Sequence, residues 1–159
     1  RGLKFLLEKI WPEIIEKNPN AILHICGYEH NLGRPKEIEE LYAEIENLLT
    51  YSKNIRKVGN LPKQKYYKLL SSCAYMLYPT NFPEISCINA IEAQYNKCLV
   101  ITSDEFAMSE TVKTNTKIKS EKYGSDEYVK KFLSLLDKYQ GDVYEQEVKK
   151  GKQEIESYS

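Results

Sequence analysis

The sequence lacks any long apolar run, and none approaches the roughly 18 residues that a membrane-spanning helix needs. It also lacks an excess of charge of either sign, since lysine plus arginine and aspartate plus glutamate number 23 each. This balance argues against a strongly basic surface for nucleic acid. No signal peptide is recognisable, because charged residues stand close to the first apolar ones. We therefore expect a cytoplasmic globular protein that does not bind nucleic acid.

Histidine and cysteine are scarce, and their spacing favours neither a metal site nor a thiol nucleophile. There are two histidines and four cysteines, and no two cysteines form a C-x-x-C pair. Two of the cysteines lie in apolar, strand-like runs, which favours reduced, buried thiols. Cys87 stands at the start of a predicted helix, a position that activates thiols, but no histidine is near it in sequence. We expect no metal and no cysteine nucleophile.

Short apolar strands alternate with amphipathic helices along the chain. Strands are predicted over residues 21–26, 54–58, 74–78, 98–102 and 116–119. Helices are predicted over residues 2–17, 36–49, 62–72, 86–96, 108–112, 125–139 and 143–158. Pro12 should kink the first helix or restart it at a first turn, and Ser86 and Ser125 are the predicted N-caps of their helices. This alternation predicts an α/β fold, a Rossmann-like parallel sheet with helices on both faces.

Two glutamates flank the start of the helix predicted from Ser86. Glu84 would stand just before that helix, and Glu92 about two turns into it. The free N–H groups of Ser86, Cys87 and Ile88 would favour a phosphate, and carboxylates accept charge-assisted hydrogen bonds from sugar hydroxyls. A nucleotide-sugar carries ribose, diphosphate and hexose in the matching order. Spacing alone leaves a second interpretation open, a favourable N-terminal charge and a solvated helix residue.

The same stretch, FPEISCINAIEA, resembles the E-x(7)-E signature of retaining group 1 glycosyltransferases with a GT-B fold. The first residues, RGLKFLLEKIWPEI, resemble the family's K-G-L-x-x-L-L-x-A segment. A third likeness is CLVITSDEFAMSETV, which resembles P-V-V-A-T-D-x-G-G-x-x-E-x-V. The resemblance spans roughly residues 1–139. It implies that residues 1–159 form a single nucleotide-sugar-binding domain, one half of a GT-B fold, whose N-terminal acceptor domain is absent from this chain.

The resemblance also implies roles for individual residues. Glu84 would be the catalytic residue that contacts the transferred sugar, and Glu92 would bind the ribose hydroxyls. The backbone amides of residues 86–88 would bind the diphosphate. Arg1 stands where the family has a lysine that neutralises the diphosphate, and its guanidinium can supply the same charge.

A further loop is implied at the base of the nucleotide. Gly59, Asn60 and Leu61 would lie beside the base, although a plain turn at the end of a strand explains these residues equally well.

Three departures from the family pattern are expected to matter for donor binding. Ser86 and Cys87 replace an aromatic residue and a glycine, so the Cys87 side chain would narrow the approach of the phosphates. Lys97 replaces a glycine that ends a helix in the left-handed conformation, which leaves Asn96 as the candidate for that role. Phe106 stands within a segment where the family has two glycines, so the loop there would be less open.

The predicted function is transfer of a hexose from a nucleoside-diphosphate sugar to an acceptor hydroxyl with retention, in polysaccharide, glycolipid or glycoprotein glycan synthesis. No cofactor or metal is expected, and this chain alone should be inactive. The resemblance leaves peripheral membrane association open, since many relatives act on lipid-linked acceptors. Two alternatives remain: a nucleotide-sugar 2-epimerase, which shares the fold, and a non-catalytic Rossmann-like scaffold for protein interaction. An oxidoreductase that binds a dinucleotide is disfavoured, because no G-x-G-x-x-G follows a strand.

Overall fold

The computed structural model describes residues 2–27 and 35–157, apart from the side chain of Ser120. The described residues divide into two compact units, residues 3–63 and residue 2 with residues 64–157. The single domain predicted over residues 1–159 stays a prediction.

The first unit opens with a helical segment that Pro12 interrupts. It consists of α1 (Leu3–Phe5), a π-helical turn (Leu6–Ile10) and α2 (Trp11–Lys17). Pro12 lies in the first turn of α2, where its missing N–H leaves no helical hydrogen bond unmade. Just before it, the Trp11 N–H donates to the Leu6 carbonyl, five residues back. The helix therefore restarts at the proline, as the sequence predicts.

Two parallel strands complete the first unit. They are β1 (Leu23–Cys26) and β2 (Ile55–Gly59), connected through α3 (Lys36–Tyr51). The register shifts between Ile25 and Cys26, so that Cys26 lies opposite Gly59. Gly59 has φ of 63°, a left-handed conformation that glycine adopts without strain, and its carbonyl accepts from the Gly27 N–H at 3.2 Å.

The second unit contains the remaining strands and five helices of the described chain. These elements are α4 (Lys63–Ser72), β3 (Tyr75–Tyr78), α5 (Ile88–Tyr95), β4 (Leu99–Ser103), α6 (Phe106–Thr111), β5 (Lys117–Ile118), α7 (Asp126–Lys138) and α8 (Gly141–Glu156). The strands form a parallel sheet in the order β3-β4-β5, and every residue of the central strand β4 is buried. A short 3₁₀ turn, Ser120–Lys122, precedes α7.

Helices cover both faces of the β3-β4-β5 sheet. The α5 core cluster, on one face, comprises Leu70, Cys87, Ala90, Ala93, Cys98, Val100, Met108 and Val112. On the other side of β4, Leu99 packs with Tyr139 and Val148. Neighbouring residues of a strand point to opposite faces of the sheet. Val100 therefore packs in the α5 core cluster on one face, and Leu99 packs with Tyr139 and Val148 on the other.

The predicted α/β fold with parallel strands and surrounding helices is confirmed. The described strands form two sheets, β1-β2 and β3-β4-β5, where the sequence predicts one. Ser125 caps α7 as predicted, since its hydroxyl accepts from the Tyr128 N–H at 3.2 Å. Several boundaries shift, among them the start of α6, two residues earlier than predicted at Phe106, and the start of α8, at Gly141.

Candidate functional site

Glu84 lies in the loop that connects β3 to α5, and its position is fixed by side chain and backbone. The residue is only 9% exposed. Its Oε1 accepts a hydrogen bond of 2.6 Å from the Tyr78 phenol. Its backbone N–H donates to the Phe82 carbonyl at 2.8 Å, and its carbonyl accepts from the Ala107 N–H at 3.1 Å. The backbone of Glu84 is thus held by two hydrogen bonds and its carboxylate by a third, which orients the carboxylate before any ligand arrives.

The same loop is tied to the carboxyl end of β4. The Thr80 N–H donates to Ser103 Oγ at 3.3 Å, and the Thr80 hydroxyl accepts from the Phe82 N–H at 3.1 Å. Ser103 Oγ and the Tyr128 phenol share a hydrogen bond of 2.7 Å. Burial raises the pKa of Tyr128 to about 12, so this phenol keeps its proton at neutral pH. The loop therefore stands on a buried polar network at the end of the sheet.

Gly2 approaches this loop more closely than any residue with a side chain could. It has φ of 71°, and a Cβ atom placed on it would lie 1.7 Å from the Pro79 carbonyl oxygen. Only glycine fits, because both the backbone conformation and the contact exclude a side chain. Sequence reasoning placed Gly2 at the start of the first helix and within a family segment, and did not predict this contact; α1 begins at Leu3.

The start of α5 differs from the sequence prediction. The predicted N-cap Ser86 is wrong: α5 begins at Ile88, Cys87 is the cap residue, and no side chain caps this end. The Cys87 carbonyl accepts the first helical bond, from the Ala90 N–H at 3.0 Å. Cys87 is 8% exposed within the α5 core cluster, and this packing fixes where the helix starts. The Ile88 amide thus belongs to the first turn, whereas those of Ser86 and Cys87 belong to the loop before it.

Glu92 lies in the second turn of α5 and is half-buried. Its Oε1 accepts a hydrogen bond of 2.8 Å from the phenol of Tyr67 on α4. An open groove of about 540 Å³ runs beside it. The groove is lined by Tyr67, Ile91, Glu92, Tyr95, Asn96, Glu110, Thr111, Lys113 and Ile155. A ligand can therefore reach the surroundings of Glu92 from solvent.

The C-terminal end of α5 corrects another prediction. The residue in the left-handed conformation is Lys97, with φ of 62°, and not Asn96, whose φ is −86°. The Lys97 N–H donates to the Gln94 carbonyl at 3.1 Å, and the Cys98 N–H to the Ala93 carbonyl at 2.9 Å. This pair of bonds is a Schellman motif, which requires the left-handed residue one position after the cap.

Phe106, in the segment where the sequence analysis expects a less open loop, also has a positive φ, of 48°. A bulky residue is rarely found in that conformation, and its side chain remains 54% exposed. The next amide, of Ala107, is the one that holds the Glu84 carbonyl. The strained residue therefore directly precedes the residue whose amide binds the backbone of the predicted catalytic residue.

The predicted site residues fall into three groups. Glu84, residues 86–88 and Glu92 all belong to the second unit, in the β3–α5 loop and in α5. Gly59, Asn60 and Leu61 belong to the first unit, at the end of β2. Arg1 lies outside the described residues, and the predicted role of each of these residues stays a prediction.

Two residues that sequence reasoning did not single out are Tyr67 and Tyr78, the phenol partners of the two carboxylates. The chain has thirteen tyrosines spread along its length, so neither stood out. The one available signal was the position of Tyr78 at the end of a predicted strand, next to the glutamate loop.

The four cysteines are thiols, but only Cys87 and Cys98 are buried as predicted, whereas Cys26 is exposed and Cys73 half-buried. Burial raises the pKa of Cys98 to about 12. Within residues 2–27 and 35–157, no cluster of three or more histidine, cysteine, aspartate or glutamate side chains is suited to a metal ion. The absence of a metal or cofactor stays a prediction.

None of the helices in the described part of the chain has both the length and the apolar character needed to cross a membrane.

Comparison with known proteins identifies the family of this chain. The family model described as "Glycosyl transferases group 1" matches residues 2–154. A comparison with curated proteins finds no match. The family match takes in both glutamates, the β3–α5 loop and all the described strands. The chain belongs to the group 1 glycosyltransferases.

Proposed function

We propose that this chain is the donor-binding domain of a retaining glycosyltransferase that moves a hexose from a nucleoside-diphosphate sugar to an acceptor hydroxyl. The observation that carries the proposal is the placement of Glu84 and Glu92 on either side of the α5 N-terminus, each held by a phenol. Family membership supports glycosyl transfer as the reaction.

The donor would lie along the start of α5. The partial positive charge of the helix N-terminus favours the diphosphate, and it stabilises the negative charge that grows on the leaving group. The amide of Ile88, in the first turn, would take this role together with those of Ser86 and Cys87 in the adjoining loop. Arg1 would add a positive charge.

The two carboxylates would divide the remaining contacts between them. Glu84 would accept hydrogen bonds from the hexose and hold it for attack, which is a positioning effect. Glu92 would accept from the ribose hydroxyls, and the open groove beside it leaves room for a nucleoside. Gly59, Asn60 and Leu61 would contact the base.

The acceptor would be bound by an N-terminal domain of the same protein, as in two-domain relatives, within polysaccharide, glycolipid or glycoprotein glycan synthesis. This chain by itself would then bind the donor weakly and transfer little. The proposal includes neither a metal nor a cofactor.

The test is a titration of UDP, GDP and ADP, each with and without an attached hexose, followed by ligand-observed NMR. We expect one nucleotide to bind, and Glu92→Ala to weaken its binding about tenfold, because a charge-assisted hydrogen bond is lost. Glu145→Ala, which removes an exposed carboxylate from α8, is the matched control and should leave binding within about twofold of wild type.

The proposal would be contradicted if none of the three nucleotides binds at millimolar concentration, either to this chain or to a longer protein that contains the acceptor domain. The non-catalytic scaffold would then be the remaining interpretation.

A further inference from the structure

Each of the two carboxylates in the site accepts a hydrogen bond from a tyrosine phenol. The Tyr78 hydroxyl lies 2.6 Å from Oε1 of Glu84, and the Tyr67 hydroxyl lies 2.8 Å from Oε1 of Glu92. We name these contacts the phenol–carboxylate pairs. The two pairs come from different elements, since Tyr78 ends β3 and Tyr67 lies on α4.

The ring of Tyr78 is held by the sheet. Tyr78 pairs with Thr102 of β4, and the Thr102 hydroxyl donates to the Tyr78 carbonyl at 2.8 Å. The ring packs against the α5 core cluster while its hydroxyl reaches Glu84. The oxygen that contacts Glu84 therefore has little freedom to move.

The ring of Tyr67 is held in the same way by its helix. It packs against the α5 core cluster and lies 6.1 Å from the Tyr66 ring, measured between centroids. Its hydroxyl joins α4 to α5 through Glu92. Each phenol is thus a rigid group with an apolar body in the core and a polar tip on a carboxylate.

We propose that Tyr78 and Tyr67 are positioning residues that set the orientation of Glu84 and Glu92 for the donor, an inference that rests on the proposed function. A glutamate has three rotatable side-chain bonds, and fixing them when a ligand binds costs conformational entropy. A phenol that already donates to one carboxylate oxygen removes part of that cost before binding. Neither tyrosine needs to touch the donor.

The two tyrosines act on different parts of the donor. Tyr78 acts through Glu84 on the hexose, so its loss affects ligands that carry a sugar. Tyr67 acts through Glu92 on the ribose, so its loss affects the nucleoside diphosphate and the nucleotide-sugar alike. A merely structural role predicts no such division.

The experiment measures dissociation constants for UDP, GDP, ADP and their hexose derivatives with the variants Tyr78→Phe and Tyr67→Phe. The matched control is Tyr75→Phe, also on β3, whose phenol donates at 2.6 Å to the backbone carbonyl of Tyr139 rather than to a carboxylate. Phenylalanine preserves the ring, so the packing of each core is retained, and thermal unfolding verifies that each variant folds.

Tyr78→Phe should raise the dissociation constant of the hexose derivative about fivefold to tenfold. The dissociation constant of the nucleoside diphosphate should stay within about twofold of its wild-type value. Tyr67→Phe should weaken binding of the nucleoside diphosphate and of its hexose derivative by about the same factor. Tyr75→Phe, the control, should change neither dissociation constant by more than about twofold.

Two results would overturn the inference while the proposed function stands. One is wild-type affinity for both ligands in Tyr78→Phe and Tyr67→Phe. The other is an equal loss of affinity for both ligands in all three tyrosine variants. A wild-type protein that binds none of these nucleotides overturns the proposed function and this inference with it.

Discussion

Lys97 and Phe106 both take a left-handed backbone conformation, but their surroundings differ. Lys97 follows α5 and completes a Schellman motif through two backbone bonds. Its carbonyl accepts from the Tyr144 phenol at 3.2 Å, and burial raises the pKa of that phenol to about 12. All these contacts are structural and lie at the end of α5 remote from Glu84.

Phe106, by contrast, starts α6 next to the candidate site. The Met108 N–H donates to the Glu105 carbonyl before it, and the Ala107 N–H after it holds the Glu84 carbonyl. The strain is therefore imposed by bonds on both sides of the residue. Strained backbone that persists beside a site is consistent with a constraint on the site, whereas strain in a remote turn can be relieved without functional effect.

Gly2 extends the comparison to a left-handed position that is occupied by glycine. Gly2→Ala should have the largest effect of the three changes, about 3 kcal/mol of lost stability, because the new Cβ would lie 1.7 Å from the Pro79 carbonyl oxygen. Chemical denaturation monitored by circular dichroism measures this loss. Gly27→Ala is the control, since nothing lies within 4 Å of its Cβ position.

An equal, small effect of both alanine substitutions would show that the contact between Gly2 and Pro79 does not contribute to stability.

Phe106→Gly should come second and should separate stability from function. Relief of the left-handed strain should add about 1 to 2 kcal/mol to the free energy of unfolding, since the half-exposed ring loses little packing. The added flexibility beside Ala107 should loosen Glu84 and weaken binding of a nucleotide-sugar. Thermal unfolding and the donor titration measure the two effects on the same sample.

A variant that gains stability and retains full donor affinity would show that Phe106 does not constrain Glu84.

The sequence predicts the fold and the two glutamates because both leave local signals. Alternation of short apolar strands with amphipathic helices is visible over a few residues, and Pro12 marks the restart of the first helix. Glu84 and Glu92 stand in a motif of fixed spacing. None of these features depends on knowing how distant residues pack.

What the sequence could not show depends on tertiary contacts. Ser86 is the better N-cap by residue type, but burial of Cys87 in the α5 core cluster moves the start of the helix. The partner of Glu92 is Tyr67, 25 residues earlier, and no local pattern distinguishes it from the adjacent Tyr66. Asn96 is the residue type that favours a left-handed conformation, yet the hydrogen bonds of the turn assign that conformation to Lys97.

Lys97→Gly should have the smallest effect of the three and should affect stability alone. The backbone bonds of the turn and the carbonyl that accepts from Tyr144 stay in place, so the gain is relief of the left-handed strain, about 1 kcal/mol. The exposed lysine side chain contributes little that would be lost. Donor affinity should match wild type in the titration that detects the Phe106→Gly effect. If Lys97→Gly changes donor affinity as much as Phe106→Gly does, backbone strain beside the candidate site has no functional effect that strain in the remote turn lacks.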